Sequence, residues 1–430
     1  MKTTLVAVAS LLVLVSLLSC GRGSNPQPNP AADPRIFVSD PLAVTTSGNV
    51  PLLHVLDPTI DRNVGTVSLA LTLPDVGLMA VTPDSKRTLV LSPAASSIAV
   101  IDNTTNGVAA GTSTISLPGS TESIVISANP TNADTDEFAA YVAVFDAPVP
   151  SSPRGLVNVI NTNTGAISAS LPVSGARRIV QSHNGERLLV FGDTASVTVI
   201  DPSKIGTNTE PRTSVCCFDH PVYGVFSSDD AQAYILECGP ECGGSVAAVT
   251  VLDLSNNTPG TPTPLPAAGA TVGLLSGSTL YVAGTPPNAA CDPTTALCGV
   301  LTSINASTLA ISGSKEISDG THDRMEVAQG QLFIGARSCT NVNIPASGNT
   351  PAVVRGCLSI FNTSSSSVVL PPDNGDVTGI QPIPDRDVVY VVEDGELRIY
   401  DTTTAALQDR QVDIIGQAVD VKFVDAVPTE

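Results

Sequence analysis

The side chains with chemistry to offer are few and widely spaced. Asp75, Glu122, Arg177, Arg178, His220, His322, Asp323, Arg324 and Asp376 each stand just ahead of, or at the start of, a short apolar run. Acids with imidazoles are the ligand types of a divalent cation, whereas arginine forks suit a small anion. Gathered around one axis, this mixture would hold either kind of ligand. A metal-dependent hydrolase would need at least three converging ligands, an open position and a nearby base. The candidates for that set are Glu122, His220, His322 and Asp376.

Sulfur is the second reactive set. Setting Cys20 aside leaves eight cysteines, an even number that suits a compartment permitting disulfides. The spacings suggest local staples: Cys291 with Cys298, Cys339 with Cys357, and Cys238 with Cys242. Cys216 and Cys217 are adjacent, so they either bond to each other or reach Cys238 and Cys242 separately. Zinc sites usually use tighter Cys or His pairs in a reducing compartment, so staples are the expectation.

Other chemistry has little support. The chain has four His and none of the G-x-S-x-G, H-E-x-x-H or P-loop patterns. Residues 132–137 alternate acids as a calcium loop does, but lack its Gly and terminal Glu, and read as an acidic loop. A net charge of −20, from 40 acidic and 20 basic residues, opposes nucleic-acid binding. No cofactor is expected beyond a divalent cation that a central channel could hold.

The elements that would position these residues begin after a leader. Lys2 precedes an apolar run over 5–18 that is short for a bilayer span and laid out as an export signal. The run ends at Leu17-Leu18-Ser19-Cys20, which resembles the lipobox of bacterial lipoproteins. The resemblance implies removal of residues 1–19 and acylation of Cys20, palmitate-like chains then holding the domain at a membrane. Gly21, where an Asp would signal inner-membrane retention, implies the outer membrane. Residues 20–34 are Pro- and Asn-rich and read as a tether.

From residue 35 to 430 the composition is that of short strands: Val, Thr and Ser are abundant, with 34 Gly and 34 Pro. Stretch 81–102 shows the unit, a turn at Pro83-Asp84-Ser85-Lys86 followed by strands over 88–91 and 97–101. A strand ending in a large apolar residue and then Asp or Asn recurs at Asp57, Asp102, Asn161, Asp201, Asp253, Asn305, Asn362 and Asp401. Each such side chain can close the turn ahead by accepting backbone N–H groups. Eight units, 39 to 59 residues apart, predict an all-β propeller of eight four-stranded blades, with seven as the alternative.

PDSKRTLVL with SIAVIDNTTNG resembles the YVTN family of bacterial β-propeller repeats. Eroded copies lie at 182–191 with 197–201, 227–236 with 249–253, and 384–392 with 397–401; units at 271–318 and 323–370 lack the turn. The resemblance implies a fold rather than an activity. Strands over 35–39, 52–57 and 66–73 would be completed by an orphan strand over 418–424, which closes the ring from both termini. Absence of Trp argues against propellers that pack a quinone with it.

In such a ring the loops over 40–50, 146–155, 238–244, 285–299 and 338–356 share one face with the channel mouth. Two functions follow. One is a lipid-anchored, non-catalytic, monomeric module that binds an envelope protein, glycan or small ligand through this face. The other is a hydrolase, resembling the lactonase propellers, with its metal at the channel mouth.

Overall fold

A computed structural model describes residues 34–426, apart from 47, 112–113, 129–136, 151, 266–268, 287–296, 349–350, 409–411, 413 and 415–416. The signal segment, Cys20, Cys291 and most of the 132–137 acidic loop lie outside the described residues.

Eight antiparallel sheets form the blades of an all-β propeller. Inner strands run Asp420–Val424, Met79–Val81, Thr121–Ala128, Arg178–Gln181, Pro221–Phe226, Val272–Ser276, Thr321–Ala328 and Val377–Pro382, for blades 1 to 8 in that order. The termini meet in blade 1, where Arg35–Thr45 pairs with Asp420–Val424 on one side and Gly48–Asp57 on the other. Closure from both ends leaves no open sheet edge at the seam.

The sequence makes blades because their middle strands are buried on both sides. Leu188–Phe191 is buried at every position, as expected when a sheet is sandwiched between two others. Eight apolar clusters result, one in each seam between neighbouring blades. Burial of such surface stabilises by roughly 25 cal/mol per Å².

Polar side chains then fix the turns. At all eight Asp or Asn positions the side-chain oxygen accepts the N–H of the residue two further on, from Thr59 on Asp57 to Thr403 on Asp401, both at 2.8 Å. A second device sits at the first hairpin of three blades. Thr82 donates to Asp84 (2.6 Å) and accepts from Arg87 N–H (3.0 Å), and Ser182 and Ser227 repeat this with Asn184 and Asp229.

Three predicted boundaries need correction. The strand expected over 66–73 is Arg62–Ser68; a turn follows in which Leu73 N–H reaches the Leu69 carbonyl at 2.8 Å. The stretch expected as a loop over 40–50 is mostly an extended ribbon, because Ala43 to Thr45 continue the pairing onto Gly48 to Val50. The loop over 338–356 carries its own hairpin, Val342–Ile344 with Val353–Arg355.

Two staples match their spacing, Cys238 with Cys242 and Cys339 with Cys357, which removes the rival pairing of Cys216 and Cys217 to Cys238 and Cys242. Cys298 is also disulfide-bonded. Among the described residues no helix is long and apolar enough to cross a membrane.

Candidate functional site

Inner strands normally aim alternate side chains into the channel and into the blade. Four of them break that alternation near their starts. In blades 3, 5, 7 and 8 the pairing to the second strand slips by one residue, so Glu122, Val222, Asp323 and Thr378 are each an extra residue without an opposite partner. Bulges of this kind re-aim side chains beside functional sites. Here Glu122, Val222 and Asp323 line one cavity of about 610 Å³ at the end of the channel where the inner strands begin.

The charges around this mouth are unequal. Arg177, Arg178, Arg324, Arg337 and Lys422 face Glu122, Asp323 and Asp420. Five cations against three carboxylates make the mouth basic within a strongly acidic chain. Asp323 is the organiser. Its carboxylate is 3.0 Å from Arg337 and 3.3 Å from Arg324, and its backbone carbonyl accepts from Arg178 at 2.9 Å and Arg324 at 3.0 Å. Arg324 also donates to the Thr378 carbonyl at the neighbouring bulge (3.0 Å).

Arg178 reaches from blade 4 to blade 7 and stacks its guanidinium over Tyr223, 4.3 Å from the ring centre. Burial pushes its pKa below the ordinary arginine value, an effect that the Tyr223 side chain opposes, yet an arginine remains charged. Beyond it the channel continues as a second cavity of about 500 Å³, and Arg178 and Ser123 line both. Glu326 projects into that deeper chamber, where enclosure by protein raises its pKa while Lys422 and Arg324 pull the other way.

At the rim, Arg177 lies over Phe145 (4.3 Å) and holds Asp193 at 2.9 Å and Glu122 at 3.5 Å. Both partners are largely exposed, so these pairs orient Arg177 more than they stabilise the fold.

The nominated residues therefore divide. Glu122, Arg177, Arg178, Asp323 and Arg324 meet at the mouth; Asp75, His220, His322 and Asp376 do not line it. Asp75 accepts from Ser92 and from Ala94 N–H (3.1 Å), and Asp376 accepts Ser338 N–H at 2.7 Å. Asp219 and Asp319 bind loop N–H groups in the same way, so these four acids tie four of the blade links to the loops beside them. His220 is exposed and faces Asp219 at 3.4 Å. His322 is fully buried, its Nε2 donating to the Ser318 carbonyl at 3.0 Å, and burial pushes its pKa down to about 4. The metal set of Glu122, His220, His322 and Asp376 does not converge. Among the described residues no group of three His, Cys, Asp or Glu is placed to hold a metal ion.

Arg337 and Lys422 escape sequence reasoning because they are not at the start of an inner strand. Arg337 ends a second strand, and Lys422 is inside the strand contributed by the chain's end. Only the closure argument pointed near Lys422.

No family model and no curated sequence matches the chain. Solved structures do resemble it. A dihydro-heme d1 dehydrogenase, NirN, solved in complex with DHE, aligns over 92% of this chain and 75% of its own at a TM-score of 0.62 and 11% identity. The computationally designed Ika8 protein aligns over 82% and 96%, with a TM-score of 0.55 and 11% identity. Hydrazine synthase of Kuenenia stuttgartiensis aligns over 73% and 87%, with a TM-score of 0.50 and 14% identity. At such identities the likeness is one of fold.

Proposed function

We propose that this chain is a non-catalytic, lipid-anchored binding propeller that takes a small anionic ligand, such as a compact polycarboxylate, at its channel mouth. The observation that carries the reading is the meeting of Arg178, Arg324 and Arg337 around the single Asp323. One carboxylate cannot neutralise three guanidinium groups, and planar arginine forks pair well with an incoming carboxylate or phosphate. The mouth supplies electrostatic attraction, and the bulges at Glu122, Val222 and Asp323 supply a fixed shape.

The stapled loops, Cys238 to Cys242 and Cys339 to Cys357, rise on the same face, so a partner protein or glycan docking there would cover the bound ligand. Disulfides support an extracytoplasmic setting. Anchoring through Cys20 to the outer membrane, with the tether over 20–34 as spacer, completes the proposal. That a structural neighbour was solved with a ligand is in keeping with ligand binding on this fold.

Calorimetric titration of the domain with citrate and with inorganic phosphate tests the reading. Saturable binding that weakens as salt rises supports it. Absence of binding by either probe at millimolar concentration, with the protein folded, counts against a small-anion site.

A further inference from the structure

The mouth leaves one reactive feature unused. Cys216 ends the outer strand of blade 4, Arg212–Cys216, and Cys217 begins the link to blade 5. Both are exposed, and their sulfurs lie 2.8 Å apart. That separation is inside ordinary sulfur contact but longer than the roughly 2.05 Å of a bond. Cys217 has φ of +82°, a region that side-chain-bearing residues rarely occupy. The bend is pinned by two N–H groups, those of Cys217 and Phe218, which both donate to the Ala195 carbonyl, at 3.0 and 3.1 Å. The backbone is therefore held in a shape that points two neighbouring thiols at each other. A hydrogen bond joins the two thiols, and it raises the Cys217 pKa.

We propose that Cys216 and Cys217 form a reversible vicinal disulfide, a redox modification site on the mouth-side face. The described cysteines elsewhere, Cys238, Cys242, Cys298, Cys339 and Cys357, are all disulfide-bonded, so this pair alone among them stands as thiols. Closure forms one S–S bond, and the two thiols together give up two protons and two electrons. A disulfide-bearing oxidant, protein or small molecule, accepts them and is reduced to two thiols. Consecutive Cα atoms are only about 3.8 Å apart across a trans peptide, short of the roughly 4.4–6.8 Å that disulfides favour. Together with its exposure, this makes the closed pair easier to reduce than the staples.

The experiment is peptide mass analysis of the whole mature protein, first incubated with oxidised glutathione and alkylated with iodoacetamide. The expected peptide carries both cysteines unalkylated and is about 2 Da lighter than the dithiol. Brief treatment with a mild dithiol should then let both residues alkylate while Cys339 and Cys357 stay linked. The reduced protein should capture one phenylarsine oxide, a reagent for paired thiols, and Cys216→Ser or Cys217→Ser should each abolish capture. Both positions being exposed, these variants should fold. Two free thiols after the oxidising step, a mixed disulfide with glutathione at either residue, or arsenical capture surviving in a single variant would overturn the proposal.

Discussion

The two ends of the channel are built on opposite principles. At the end where the third strands finish, one device is used eight times: an Asp or Asn oxygen holds the N–H two residues on, as in Asp102 with Thr104 at 2.9 Å. At the other end nothing repeats faithfully. Four inner strands bulge and four do not, and the arginines come from an inner-strand start, a bulge neighbour and a second-strand end. Repetition specifies the ring, and departure from it shapes the mouth. Local rules broken in one place only are where function is to be sought.

The comparison can be broken first at the seam. Arg386 of blade 8 reaches the carboxylate of Asp61 in blade 1 at 2.6 and 3.1 Å, and Tyr390 donates to the same group. Asp61 is almost wholly enclosed. Neutralising it weakens the charge-assisted hydrogen bonds from Arg386 and from the enclosed Tyr390 hydroxyl, which together are worth about 3–5 kcal/mol. Asp61→Asn, which tolerates the left-handed backbone there (φ +53°), should lower stability by that amount in urea unfolding. Anion binding at the distant mouth should survive in the folded protein.

A pH titration of stability sharpens the distinction between what looks like a site and what is one. The folded pKa of His322 is near 4, against 6.5 when unfolded. Its contribution is complete above pH 6.5 and is lost as pH falls toward 4, since the unfolded chain takes up the proton first. The loss is about 3 kcal/mol at most. His322→Gln should flatten this limb of the urea-midpoint profile; an unchanged slope would mean that His322 is not a buried neutral ring.

The smallest expected effect belongs to a single repeat. Hydrogen bonds from Thr403 and Thr404 hold the Asp401 carboxyl down to about 2. Asp401→Ala should cost about 1 kcal/mol, the usual worth of such a bond, as read from the thermal midpoint. A loss several times larger would show that the eight turns are coupled around the ring.

These contrasts also explain what could be read from the chain alone. The ring, its closure and the eight turns were legible because each depends on residue types at a fixed interval. The mouth was legible only in part. A bulge adds one residue without a compositional mark, so nothing distinguished Asp323, which faces the channel, from His322 beside it, which is buried. Asp75 and Asp376 had the right chemistry at the right height, yet backbone N–H groups of the adjacent loops occupy them. Arg337 carries no positional signal at all, because its role depends on blade 7 bringing a second-strand end beside the bulge.

The central claim is that the mouth, rather than the repeated end, binds an anion. Its most direct test is the rise in melting temperature on adding citrate, measured for the native domain and for two variants. Arg324→Gln removes a cation at Asp323, and Lys86→Gln removes an exposed one from a turn at the other end. A ligand at a hundred times its dissociation constant stabilises by about 2.7 kcal/mol, enough to move the midpoint measurably. The account predicts that the rise persists in Lys86→Gln and is largely lost in Arg324→Gln. An equal rise in all three proteins would contradict it.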